Sequence, residues 1–150
     1  MAGSSGRFRI VIVLDTNIVS ETMTRRPNPL VVDFLRQSER EVFAITTLTL
    51  FELRLGIEIL PQSAERSRLW ILFEGYEAGA LGSPLPLDPE SAGLAAVFRA
   101  ERRRKGRPTS VPDSLIAGIA LRHGAALATR NIRDFEDSGL ALIDPWQAVP

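Results

Sequence analysis

The chain has 150 residues, 45% of them hydrophobic, enough to build one compact domain with a single core. Lysine plus arginine and aspartate plus glutamate balance at 18 each, so no global field draws the protein to nucleic acid or to an anionic membrane, and any such binding rests on local patches. The absence of cysteine excludes disulfides, thiolate nucleophiles, iron–sulfur clusters and sulfur-ligated zinc, leaving oxygen and nitrogen as the available metal ligands.

Met1 to Gly6 is small and polar and reads as part of a disordered leader over residues 1–9, with a single domain from 10 to 150. Arg7 and Arg9 precede only five apolar residues, too few for a signal-peptide core, and no stretch reaches the length of a membrane span; the expectation is a soluble, cytoplasmic protein. Ile10 to Leu14 is a continuous β-branched run without polar alternation, which predicts a central strand covered on both faces. Asn17 to Met23 predicts a short helix. After Pro27 and Pro29, Leu30, Phe34 and Leu35 form the stripe of a second one.

Val42 to Thr46 predicts a strand, and Leu48 to Leu60 a helix apolar nearly all round, as a buried one is, ended by Pro61. Leu69, Leu72, Phe73 and Tyr76 recur at three and four residues in an amphipathic helix that stops near Gly79 and Gly82. Leu85 and Leu87 suggest a short strand among prolines. Pro89 opens a helix using Leu94, Val97 and Phe98 that runs into the basic stretch Arg99 to Arg107. Val111 to His123 is a helix closed by Gly124, and Ala125 to Thr129 and Leu140 to Ile143 are the last strands. The alternation predicts an α/β three-layer fold, a mostly parallel central sheet of four to five strands with helices on both faces.

Four acids stand at the ends or openings of these elements: Asp15 after the first strand, Glu52 early in a helix, Asp113 opening another, and Asp134 after the strand Ala125 to Thr129. Singly, each has a local explanation. Thr49-Leu50-Phe51-Glu52 has the form of a capping box, Asp113 suits a helix macrodipole, and Asp15 and Asp134 suit turns. Together they would form a carboxylate cluster, in which two charges about 4 Å apart repel by roughly 4 kcal/mol at the effective dielectric near a protein surface. A hard divalent cation relieves such a cluster.

Leu14-Asp15-Thr16-Asn17-Ile18-Val19-Ser20-Glu21, Thr49-Leu50-Phe51-Glu52-Leu53, Pro112-Asp113-Ser114-Leu115-Ile116-Ala117 and Ala128-Thr129-Arg130-Asn131-Ile132-Arg133-Asp134-Phe135 resemble, in order, the motifs of PIN-domain proteins. The likeness extends to the VapC-type toxins of VapBC toxin–antitoxin modules, and the ending Ile143-Asp144-Pro145-Trp146 is similar to that of the FitB-like branch. It runs from about Ile10 to Trp146. The resemblance implies a magnesium- or manganese-dependent endoribonuclease whose metal site is Asp15, Glu52, Asp113 and Asp134. Thr16 and Asn17 would support Asp15, and Asn131, where many relatives carry an acid, would hold or orient a ligand. It further implies an RNA substrate, a homodimer, and a VapB- or FitA-like antitoxin with a segment inserted into the acidic groove.

An acidic pocket repels RNA unless cations flank it. Arg130 and Arg133, straddling Asn131, are the first candidates to position RNA; the run Arg99, Arg102, Arg103, Arg104, Lys105 and Arg107 is the largest local positive excess, read equally as a solvated helix end. His123, the only histidine, reads as a helix-end residue, and Trp70 and Trp146 as core packing. Leu30, Phe34, Leu53 and Ile57 are candidates for a surface buried against a second copy or an antitoxin. A different class of function, a non-catalytic partner-binding or DNA-bound regulatory subunit with the same fold, stays open. A phosphatase of the aspartyl-nucleophile type is disfavoured, because it needs a second aspartate where Asn17 stands.

Overall fold

The computed structural model of the protein describes residues 9–37 and 41–147. The expected leader therefore lies, for residues 1–8, outside the described residues, as does the end of the expected domain at 148–150. Among the described residues four strands, β1 (Ile10–Leu14), β2 (Glu41–Ala44), β3 (Ala126–Ala128) and β4 (Leu142–Ile143), form one sheet in the order β2-β1-β3-β4, parallel throughout. The helices are α1 (Thr16–Thr22), α2 (Pro29–Arg36), α3 (Thr47–Glu58), α4 (Ala64–Glu77), α5 (Pro89–Arg104) and α6 (Val111–Arg122), with a 3-10 helix at Ile132–Phe135. None of them is long and apolar enough to cross a membrane.

The unbroken apolar run of β1 follows from its position. Alternate side chains of a strand point to opposite faces. Ile12 and Leu14 join Ile18, Val31, Leu53 and Phe73 from α1 to α4, while Val13 joins Phe98, Ile116, Leu127 and Phe135 on the other side. Helices α1 to α4 thus cover one face and α5 and α6 the other, which is the three-layer arrangement expected. The chain passes from β1 to β2 on one side and later to β3 on the other, so a crevice opens at the carboxyl ends of β1 and β3.

Several expectations are corrected. Leu85 makes a single bridge with Thr46, and Leu87 is exposed, so no strand forms there among the described residues. Helix α3 is not buried all round: Phe51, Leu55 and Ile59 are 62%, 51% and 75% exposed, whereas Leu53 and Ile57, candidates for an outer surface, are core. The stripe of α5 is Ser91, Ala95, Phe98 and Arg102, and Val97 faces solvent. Trp70 and Trp146 pack against the core beside α1 to α4, as expected.

Helices α5 and α6 touch closely where α6 carries Gly118. A methyl group there would lie 2.3 Å from the Ser91 carbonyl oxygen and 2.7 Å from the Ala95 Cβ, both in α5. The contact also seats α6, whose first turn holds Asp113. Gly118→Ala is expected to lower the unfolding free energy in urea by about 1–3 kcal/mol through overpacking, although alanine favours a helix by about 1 kcal/mol over glycine. A more stable variant would contradict this close approach.

Candidate functional site

The site grows from the end of β1. Asp15 is the N-cap of α1, and its Oδ1 accepts a hydrogen bond from the Thr16 amide at 2.8 Å. Strand pairing places Leu14 opposite Ala128, so Thr129 follows β3 directly beside Asp15. The buried Thr129 hydroxyl donates to Asp15 Oδ2 at 2.8 Å and accepts from the Asn131 amide at 3.0 Å. Asn17 Nδ2 approaches the same Oδ2 at 3.4 Å, while its Oδ1 is buried without a hydrogen-bond partner.

Thr16 ties this corner to α3. Its hydroxyl donates to Glu52 Oε1 at 2.8 Å and shares a hydrogen bond with the Thr49 hydroxyl at 2.9 Å. Glu52 is therefore not the far half of a capping box. Thr46 caps α3 instead, its hydroxyl accepting from the Thr49 amide, and Glu52 stands a turn deeper, turned toward the end of β1.

Electrostatics separate Asp113 from an ordinary helix-start acid. Asp88, the N-cap of α5, is held below its usual pKa, first by the Ser91 amide and also by Arg122. Asp113 sits at a comparable helix start, with Ser110 as N-cap, yet its pKa is raised, by burial and by the charge of Asp134. A macrodipole alone would lower it. Asp15 is pushed up to about 6, first by burial, against the opposing hydrogen bonds from Thr129 and Thr16, and further by the charges of Asp113 and Glu52. The charges of Glu52 and Asp113 thus act on Asp15, and that of Asp134 on Asp113. None of them pairs with a lysine or arginine among the described residues.

The donor set suits a hard divalent cation, being carboxylate oxygen with one unpartnered buried amide oxygen, that of Asn17. Among the described residues no three acids or histidines are already drawn into a ready-made cage. Magnesium does not need one, since it commonly binds through one or two carboxylates and keeps several waters. A cleft of about 490 Å³ between α1, α3 and α4 is lined by Thr16, Ser20, Leu53, Glu65, Arg68 and Leu69, among others, and by Glu52 alone of the four acids.

Arg130 is exposed beside the site, with its guanidinium 4.9 Å from the Trp146 ring centre, and Arg133 is exposed on the 3-10 helix. The Asn131 side chain is exposed and makes no cap bond. His123 is the C-cap at the far end of α6 from Asp113, about 15 Å along the helix axis, and takes no part in the site. The sequence offers no role for Thr129, and it offers Thr49 only as the start of a capping box, whereas the Thr49 hydroxyl meets that of Thr16. The signal for Thr129 is its place directly after β3, which carries meaning only once β3 is known to pair with β1.

A three-layer parallel α/β protein with uncompensated carboxylates at the strand ends is the class that fold and site define. The model of the PIN domain family matches residues 12–138, and the chain belongs to that family. It is 33% identical over 138 residues to the VapC ribonuclease Y4jK of Sinorhizobium fredii, covering 91% of this chain and 99% of that protein. It is 31% identical over 140 residues to the toxin FitB of Neisseria gonorrhoeae, covering 91% and 99%. The crystal structure of FitAcB from Neisseria gonorrhoeae superimposes with a TM-score of 0.82 at 30% identity, covering 91% of this chain and 99% of that one.

The raised Asp15 pKa has a definite sign. Its folded value of about 6 lies above the unfolded value of about 3.9, so the folded state holds the proton more tightly and stability is lost as pH rises between the two. In chelator-treated protein, the stability of Asp15→Asn relative to wild type is expected to increase by about 2 kcal/mol from pH 4 to pH 6, most of a full span of about 3 kcal/mol, and to level off above pH 7. Denaturant titrations across that range check it, and a difference that does not change with pH would contradict it.

Proposed function

We propose that this chain is the toxin of a type II toxin–antitoxin module, a cytoplasmic endoribonuclease that hydrolyses RNA phosphodiester bonds with Mg2+ or Mn2+. The observation that carries the reading is the set Asp15, Glu52, Asp113 and Asp134, without a basic partner among the described residues, in which the charges of Glu52 and Asp113 bear on the buried Asp15 and that of Asp134 on Asp113. The relatives named as a VapC ribonuclease and as the toxin FitB support the activity and the biological role.

In this reading Asp15 and Asp113 hold the cation, with Glu52 and Asp134 as further ligands, directly or through water. When bound, the cation supplies Lewis acidity, activating water and neutralising the charge that builds on the phosphate. The chain's own residues set the geometry. Thr129 and the Thr16 amide fix the two Asp15 oxygens, the Thr16 hydroxyl holds Glu52, and the Asn17 side chain and the Asn131 backbone amide, which donates to Thr129, complete the support. Arg130, steadied on Trp146, and Arg133 position RNA against an otherwise repulsive pocket.

A homodimer and a VapB- or FitA-like antitoxin belong to the same proposal. Both associations need apolar area to bury, and the outward row of Phe51 and Leu55 in α3 and Ile59 at its C-cap, with exposed Ile71 of α4, supplies it.

Purified protein incubated with single-stranded and structured RNA in magnesium, manganese or chelator tests the activity. Cleavage is expected with either metal, none with chelator, and Asp15→Ala is expected to fall to the chelator background. Metal-independent cutting, or full activity in Asp15→Ala, would contradict the assignment, and no cutting of any RNA despite tight antitoxin binding would favour a regulatory role.

A further inference from the structure

The basic run at the end of α5 is divided by the fold into two sets. Arg102 is buried and donates from Nη1 to the Glu136 carbonyl at 3.2 Å, while Lys105 and Arg107 pair with Asp137 at 3.6 and 3.8 Å. These three fasten α5 to the loop after the 3-10 helix. There Asp137 adopts a left-handed backbone with φ of 68°, a conformation a non-glycine residue needs local support to keep.

Arg99 and Arg103 are not part of that fastening. One turn apart on α5, they make no ion pair or hydrogen bond among the described residues, and with Pro108 and Thr109 they line a cavity of about 330 Å³. No acid is among these lining residues. Thr109 is only 5% exposed, and its hydroxyl has no hydrogen-bond partner. A buried hydroxyl left unpaired is costly, and the two arginines that line the same cavity carry the planar donor forks that fit phosphate oxygens. Thr109 directly precedes Ser110, the N-cap of α6, and Asp113 lies in the first turn of that helix. A single short stretch of backbone therefore joins the cavity to Asp113.

We propose that Arg99, Arg103 and Thr109 form a phosphodiester subsite that holds the RNA backbone beside the acid cluster, an inference that rests on the ribonuclease reading above. Groups of this chemistry grip the sugar–phosphate chain without reading bases. They supply the positive counterpart that a polyanion needs to approach a carboxylate site. Arg99 and Arg103 are positioning residues.

The test is binding of a fluorescent single-stranded RNA in chelator, across a range of salt concentrations, to wild type, to the double variant Arg99→Gln/Arg103→Gln, and to Arg104→Gln. Arg104 is exposed on the same helix with the same charge but does not line the cavity. The double variant is expected to bind about tenfold more weakly, with a salt slope shallower by about 0.7 for each phosphate that is no longer neutralised. With magnesium, its KM for RNA rises while kcat holds. Arg104→Gln is expected to match wild type in affinity and slope. Wild-type affinity and slope in the double variant, or an equal weakening in Arg104→Gln, overturns the subsite while leaving the ribonuclease reading intact. A wild type that binds no RNA overturns both.

Discussion

The structure turns on a buried negative charge. Asp15 is 4% exposed at the end of the central strand, its oxygens are held by neutral donors, and the nearby charges that shift it are those of other acids. Burial of an ionised carboxylate without a cation is unfavourable, and here it drives the group toward its protonated form. What surrounds Asp15 makes sense as a frame that keeps the carboxylate in place despite that cost. The parallel pairing of β1 with β3 delivers Thr129, α1 starts on the Asp15 side chain itself, and the Thr16 hydroxyl extends the frame to Glu52.

The opposite face of the sheet contributes Asp113. Its position depends on α6, which is seated against α5 by the absence of a side chain at Gly118 and anchored at its start by Ser110. The basic end of α5 is tied in turn to the loop that follows Asp134, through Arg102, Lys105 and Arg107. Packing between helices and the charge pattern at the strand ends are thus one arrangement, and α5 contributes both the clamp and the two arginines, Arg99 and Arg103, that line the cavity before α6.

Much of this was legible in the sequence where the signal is local. The apolar run before Asp15, the proline and glycine boundaries and the alternation of elements fix strand and helix positions to within a residue or two, as with β1 at Ile10–Leu14 and α6 at Val111–Arg122. Contacts between distant residues were not. Thr129 reaches Asp15 across 114 positions, and the Thr16 link to Glu52, which displaces the capping-box explanation, depends on how α1 packs on α3. The outer face of α3 misled for a different reason. Phe51, Leu55 and Ile59 carry the same apolar character as Leu53 and Ile57, and composition does not distinguish a core from a surface available for burial by a partner. In α5 the small Ala95 is buried and the larger Val97 exposed, because the close approach to α6 selects for size.

If the carboxylates are a cation site, the metal-free protein carries a repulsion that a divalent ion relieves. The most direct measurement is the melting temperature of chelator-treated protein against added magnesium or manganese chloride, with sodium chloride at matched ionic strength as reference. The account predicts a saturable rise with the divalent salts, absent with sodium and strongly reduced in Asp15→Asn. Equal shifts in all three salts, or none, would show that these acids do not share an ion.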